Sequence, residues 1–210
     1  MLLDMKLLKA VRVAASTEET RYYLRGVFVK AQGEHVVLCA TDGHRMIVAR
    51  HRIEEGDEYP LNGFIIPLRL IDRIKIAKRR MGGNDDGALS FDGDTITIRY
   101  AGDVFVDQIV DGTFPDYTRV VPKGWSNEPA QYNPTYLADF AKAVKIVSDD
   151  VKPSITVHYN GLDPAVVNLN GGNIYDWFGV IMPIRGDRPF PDIEWAKPPK
   201  AQPDQADQAA

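Results

Sequence analysis

The chain has 210 residues, 44% of them hydrophobic, with a formal net charge of -4 and a pI near 5.6. That is enough apolar material for a sizeable core in one or two domains. The mild acidity argues against a generally basic nucleic-acid coat, while leaving room for a local basic stripe, because phosphate responds to local potential. No apolar run is long enough for a membrane span, no signal-peptide pattern opens the chain, and the one cysteine, Cys39, has no internal disulfide partner; a reducing cytoplasm is the expected compartment.

Residues 3–15 carry helical spacing, with Leu7, Leu8, Val11, Ala14 and Ala15 on one side and Lys6, Lys9 and Arg12 on the other. Arg21 to Val29 reads as a strand, Ala31–Glu34 as a turn, and Val36–Ala40 as a second strand. Thr41-Asp42-Gly43-His44-Arg45 then separates this run from a third strand, Met46 to Arg52. Asp-Gly suffices for a turn; the flanking Thr, His and Arg are a surplus of chemistry that marks the connection as a functional candidate. An acidic loop, 54–58, closes this first unit.

The pattern recurs. Phe64–Pro67 is a short strand, Leu68 to Met81 a helix stopped by Gly82-Gly83, and Leu89–Phe91, Thr95–Tyr100 and Val104–Val110 are strands joined by Asp-Gly-Asp and Ala-Gly-Asp turns. A third recurrence begins after Asp111–Tyr117, whose Phe-Pro-Asp-Tyr end suits a corner between domains. Arg119–Val121 is the expected strand, and Asn133-Pro134 caps a helix running to about Val147. Strands follow at Ser154–Tyr159, Ala165–Leu169 and Trp177–Pro183. The helices recur at intervals of about seventy residues, a weak internal repeat. Beyond Arg185, the proline-rich, weakly hydrophobic stretch 187–210 reads as a mostly disordered tail, with Phe190, Ile193 and Trp195 as its apolar exceptions.

The second helix is basic in an acidic protein. On a helical wheel Arg69, Arg73 and Arg80 fall within about 40° of one another, Lys75, Lys78 and Arg79 add charge, and Asp72 is the lone acid. A solvated surface face is the plain interpretation; an electrostatic footprint for phosphates is the functional one. Lys142 and Lys145 on the third helix, with Lys6, Lys9 and Arg12 on the first, favour the second. Asp42 and His44 suggest an acid/base pair, but no nucleophile is placed beside them by spacing, and the other histidines are isolated on strands. There is no metal-ligand spacing, phosphate-binding glycine loop or GxSxG, so neither an enzyme nor a cofactor or metal is expected. Val180–Arg185, an apolar strand ending in arginine, suits either the core or a peptide-binding groove.

Five stretches in order resemble the bacterial replicative sliding clamp, the beta subunit of DNA polymerase III. Arg21–Gly26 resembles its RYYLNG segment, Ala40–Arg45 its ATDGHR, Phe64–Pro67 its IVP, Val110–Tyr117 its VDGRFPDY with Thr113 in place of arginine, and Val180–Arg185 its VMPMR. The resemblance implies an α+β DNA-clamp fold of repeated strand-helix-three-strand units, with sheets outside and helices lining a ring around duplex DNA. The basic residues, Lys6, Lys9, Arg12, Arg69, Arg73, Lys75, Arg80, Lys142 and Lys145, would then meet phosphates without sequence preference.

It also implies a cleft for the short linear motifs of DNA polymerase and clamp loader. By position, its walls would be Leu24, Thr41, Gly43, His44, Arg45, Met46, Pro115, Arg119, Val120, Val180, Ile181, Met182, Pro183, Ile184 and Arg185. The expected organisation is a clamp domain at 1–112, a half domain at 113–186 and the tail. A family chain has six units and this one shows three; it is expected to begin at a helix without its leading strand. Four copies would supply the usual twelve units, so a homo-oligomer is expected. The alternative implied is a clamp-like module that binds the same peptides without forming a ring.

Overall fold

The computed structural model describes all residues except 55, 61, 77–84, 149–153, 170–175, 187–191, 193 and 197–210. The chain opens with a strand, β1 (Leu2–Asp4), where helical spacing alone predicts the start of the first helix. Asp4 ends it by capping α1 (Met5–Val11): its carboxylate accepts the Leu7 N–H at 2.9 Å. Five of the seven α1 residues, Met5, Leu7, Leu8, Ala10 and Val11, are buried. Each large one removed from water contributes roughly 1.5–3 kcal/mol, far more than the intrinsic propensity of so short a helix.

Three strands follow as an antiparallel meander, β2 (Gly26–Gln32), β3 (His35–Thr41) and β4 (Arg45–Arg52). The segment Arg21–Leu24, expected in the first strand, belongs instead to a 3-10 stretch, Glu19–Leu24. Strand β3 is buried from Val36 through Ala40 without alternation, because both sheet faces are covered. Val36, Leu38 and Ala40 meet the helix-side core; Val37 and Cys39 meet a second apolar cluster on the outer face.

The second unit comprises β5 (Phe64–Pro67), α2 (Leu68–Arg73), β6 (Asp86–Asp92), β7 (Thr95–Tyr100) and β8 (Asp103–Gln108). Helix α2 stops at Arg73 because Ile74 is extended (φ -70°, ψ 121°) and buried, its side chain fixed in the core. The helix is therefore shorter than the expected 68–81, and Lys75 lies past its end; Arg80 lies outside the described residues. The leading strands of the two units are exchanged: β1 pairs with β6, and β5 pairs with β2. This interlocks the two units.

In the third unit Asn133 Oδ1 accepts the Thr135 N–H at 3.0 Å and opens α3 (Pro134–Val147), as its Asn-Pro start predicts. Strands β9 (Thr156–His158), β10 (Ala165–Asn168) and β11 (Asp176–Ile181) follow. The expected leading strand at Arg119–Val121 is a 3-10 turn, Tyr117–Val120: Asp116 caps it by accepting from the Thr118 N–H at 3.1 Å and its hydroxyl at 2.6 Å. Helix α3 lies against α1, and β11 joins β4, Met46 opposite Val180. One sheet therefore runs β5-β2-β3-β4-β11-β10-β9; the other runs β1-β6-β7-β8. A Cβ on Gly179 would sit 2.5 Å from Phe140 Cε1, so glycine lets α3 approach β11. The architecture is α+β, antiparallel sheets with helices on their inner face.

Candidate functional site

The Thr41–Arg45 connection is built by its own side chains. Thr41 Oγ1 donates to the Arg45 carbonyl at 2.7 Å and accepts from the Gly43 N–H at 3.1 Å. Asp42 Oδ1 accepts the N–H groups of His44 and Arg45 at 2.9 and 3.0 Å. This explains the threonine and aspartate as turn-forming residues. Gly43 has φ +89°, and a Cβ there would stand 2.9 Å from the Arg21 guanidinium, which donates to the Asp42 carbonyl. The positive φ is what favours glycine here, since the Arg21 side chain could move aside.

Arg45 does not rim the cleft as an open cation. Its Nε lies 3.2 Å from Asp42 Oδ2, its Nη1 pairs with Asp139 on α3, and its Nη2 donates to the Val13 carbonyl at 3.3 Å. The guanidinium carbon lies 4.6 Å from the Tyr136 ring centre. Arg45 thus clips the first unit to the third. Asp42, with both oxygens engaged, is no free general base. His44 stacks on Tyr136 instead, with ring centres 6.0 Å apart, and its carbonyl accepts the Met182 N–H at 2.9 Å.

Where this turn meets the end of β11 and the 115–120 segment, a cleft of about 170 Å³ opens. Leu24, Thr41, Gly43, His44, Arg45, Met46, Pro115, Val120, Val180 and Met182 line it, together with Asp116 and Tyr117, which sequence reasoning does not single out. Both sit inside the Phe-Pro-Asp-Tyr segment, which the sequence reads as a corner that packs in the core or borders an apolar groove, without singling out these two side chains. Val120 is 45% exposed and Met182 37% exposed at the mouth, whereas Leu24, Met46 and Val180 form a buried floor. Beneath it lie the Cys39 thiol, pushed well up by burial, and the Phe28–Phe114 stack at 4.9 Å. Burial, then the neighbouring Cys39 and Asp116, raises the Tyr117 hydroxyl, and the bonds from Thr118 hold the Asp116 carboxyl below its ordinary value.

The other expected wall residues lie elsewhere. Ile181 points through the sheet into the helix-side core, because neighbours on a strand face opposite ways. Ile184 bridges to Gln131, its N–H donating to the Gln131 carbonyl at 2.7 Å. Arg119 and Arg185 are exposed and Pro183 is half-buried, and none of these three lines the cleft.

Most of the described basic candidates have protein partners. Lys6 lies 3.1 Å from Asp85. Lys9 donates to the Ile71 carbonyl at 2.8 Å, and burial lowers its ammonium pKa, with Asp72 opposing and Arg12 adding. Arg12 grips Asp72 at 2.7 and 2.8 Å. Arg69 forks onto Asp107 at 2.6–3.0 Å, and this bond raises the arginine and lowers the carboxyl. Arg73 donates to the Val106 carbonyl at 3.3 Å, with its guanidinium 5.9 Å from the Phe105 ring centre. Lys75 and Lys145 are exposed and Lys142 is exposed on α3 as well. No group of acids, histidines and cysteine among the described residues is arranged to hold a metal, and no helix among them is long and apolar enough to cross a membrane.

Known proteins match this frame. The Escherichia coli K12 beta sliding clamp is 31% identical over 118 residues, which is 56% of this chain and 31% of that protein. The Caulobacter vibrioides NA1000 clamp is 32% identical over 123 residues, 57% of this chain and 32% of the relative. The chain thus spans about a third of the length of these curated relatives. In structure it is similar to the beta subunit of DNA polymerase III from Thermotoga maritima, with TM-score 0.64, 19% identity, and 89% of this chain and 65% of that one covered. A Bartonella birtlesii sliding clamp, solved bound to griselimycin, superimposes with TM-score 0.61 at 23% identity over 89% of this chain and 66% of its own. The model of the DNA polymerase III beta subunit central domain matches residues 4–116. With more than half of its length inside that match, the chain belongs to the DNA polymerase III beta subunit family.

Proposed function

We propose that this protein is a sliding clamp and processivity factor, which binds duplex DNA non-specifically and recruits a DNA polymerase or clamp loader by a short peptide. The observation that carries the reading is the cleft. A buried apolar floor of Leu24, Met46 and Val180 opens between Met182 and Val120, beside polar His44 and Asp116. An extended peptide with leucine or phenylalanine anchors suits such a surface, since one anchor removed from water contributes about 1.5–3 kcal/mol. Fluorescence anisotropy with a labelled peptide of that kind tests it. Met182→Ala should weaken binding about 5- to 30-fold, the effect of removing one apolar side chain that contributes about 1–2 kcal/mol. Equal affinity in the variant overturns the cleft as the binding site.

The DNA role rests on the exposed Lys75, Lys142 and Lys145, with Arg69 and Arg73 adding positive charge although each has a partner within the protein. A ring holds DNA by topology, so a few weak phosphate contacts suffice. Retention on circular DNA with loss from linearised DNA is the expected result.

A second reading is a clamp-like module that binds peptides and forms no ring. It is favoured by the pairing of Lys6, Arg12 and Arg69 with Asp85, Asp72 and Asp107, which leaves less charge for phosphates. Equal retention on circular and linear DNA, with peptide binding intact, would select this reading.

A further inference from the structure

Beside the cleft lies a second, larger concavity. A groove of about 1150 Å³ opens where β2 and the start of β5 meet the 108–118 segment, just above the roughly 300–1,000 Å³ usual for ligand pockets. Local contacts hold it in shape. The Val110 N–H donates to the Ile65 carbonyl at 3.0 Å and carries the segment along β5. Phe114 then stacks on Phe28, ring centres 4.9 Å apart, and fixes the segment against β2. Gly63 has φ +71°, and a Cβ there would stand 2.8 Å from the Val29 carbonyl oxygen, so glycine lets the turn before β5 close on β2. Pro115, Asp116 and Tyr117 line both the groove and the cleft, so a chain seated in one leads directly into the other.

The chemistry of the groove differs from that of the cleft. Ile65 and Phe114 are buried in it, and Phe28, Val110 and Tyr117 are partly buried. The charged side chains around them are Asp94, Asp111, Asp116 and Lys30, three carboxylates to one ammonium, and all four are exposed. Elsewhere Arg12, Arg45 and Arg69 are each matched by a carboxylate of the protein. Among the described residues no cation lies within ion-pair distance of Asp94, Asp111 or Asp116. The bonds from Thr118 favour the charged form of Asp116. An apolar floor beneath an acidic rim suits lysine and arginine, whose aliphatic stems cover apolar surface while their charged heads reach the rim. The same rim repels a phosphate-bearing partner.

We infer that the groove binds a basic flank of the peptide whose apolar anchors fill the cleft: an extended stretch carrying lysines or arginines at one end of the anchors. The inference rests on the cleft being the peptide site, and it adds the feature by which one partner is chosen over another. Asp94 and Asp111 supply the selecting charge, since rim charges govern specificity and on-rate more than total affinity.

Anisotropy of labelled probes with the full chain tests this. Each probe has the same leucine–phenylalanine core, extended by a short run of lysines or of serines at one end or the other. At low salt the lysine run at one end should tighten binding about 3- to 10-fold over serine, the effect of roughly two or three exposed ion pairs. The gain should vanish near 1 M salt, where the Debye length is about 3 Å. It should vanish also in the variant carrying Asp94→Asn and Asp111→Asn. That variant should bind the serine probes as the wild type does, because neither residue lines the cleft, and this binding reports that it is folded. Asp103→Asn with Asp163→Asn removes the same charge from exposed positions outside the groove and should keep the gain. Equal affinity for lysine and serine probes, an equal gain from either end, or a gain that survives Asp94→Asn with Asp111→Asn overturns the inference. So does a gain lost equally in the variant carrying Asp103→Asn and Asp163→Asn. If the serine probes bind and lysine adds nothing, the basic flank alone fails; if no probe binds, the cleft reading fails with it.

Discussion

Replacing Arg45 by methionine keeps most of the side-chain volume and removes one guanidinium that touches three parts of the chain. It reaches Asp42 in its own turn, Asp139 on α3 and the Val13 carbonyl after α1, and lies over Tyr136. The Arg45 side chain is 11% exposed, while Asp42 and Asp139 are 17% and 32% exposed. The pairs are thus neither surface pairs, worth under about 1 kcal/mol, nor fully buried ones, whose breaking costs about 3–5 kcal/mol. Hydrogen bonds to a charged group contribute about 1.5–3 kcal/mol, and the ring contact adds about 0.5–1 kcal/mol. These terms share one group and are not additive, so the expected loss is about 2–4 kcal/mol. At about 2–4 °C per kcal/mol for a chain of this size, melting should fall by roughly 4–16 °C. Urea titration followed by circular dichroism measures the loss. A double-mutant cycle with Asp139→Ala should give a coupling above about 1 kcal/mol, since the two groups are in direct contact. A loss below about 1 kcal/mol, or no coupling, would refute the assignment of Arg45 as the clip between the first and third units.

Three further outcomes follow from the same geometry. Gly179→Ala forces a methyl against the buried Phe140 ring and should cost about 1–3 kcal/mol in a thermal melt; a neutral result would mean that α3 shifts freely on β11. The Asp107 carboxyl is held below its usual value chiefly by the bond from Arg69, so what it contributes is present above about pH 4 and is lost as pH falls through the lowered value. Because the Arg69 partner is 68% exposed to screening solvent, Asp107→Asn should remove only about 1 kcal/mol at neutral pH and flatten the acid limb of the stability curve. Lys142→Ala and Lys145→Ala should each reduce the salt slope of DNA binding by about 0.9 for every phosphate that lysine neutralises, with peptide affinity unchanged; an unchanged slope would move the DNA surface elsewhere.

Local chemistry in the sequence is enough for much of this molecule. The apolar runs 36–40 and 46–49 lie in paired strands, and Asn133-Pro134 opens a helix where it stands. Such signals are short-range: a cap, a proline or a period of two acts on its immediate neighbours whatever the rest of the chain does. The family motifs also bring ten of the proposed wall residues to one cleft.

Tertiary structure decides what depends on distant partners. Residues 2–4 form a strand because β6, far along the chain, offers an edge, Leu2 opposite Ala88 and Asp4 opposite Asp86. The basic helix ends at Arg73 because Ile74 is held in the core, a constraint no helical wheel contains. Arg45 lines the cleft and also acts as a clip, because Asp139 and Tyr136 arrive from α3. Arg12 and Arg69 meet Asp72 and Asp107, 60 and 38 residues along the chain. Which charges a sequence carries is plain in its letters; which of them remain available to a ligand is settled by what the fold places within about 4 Å of each, because ion pairing falls off steeply with distance and solvent.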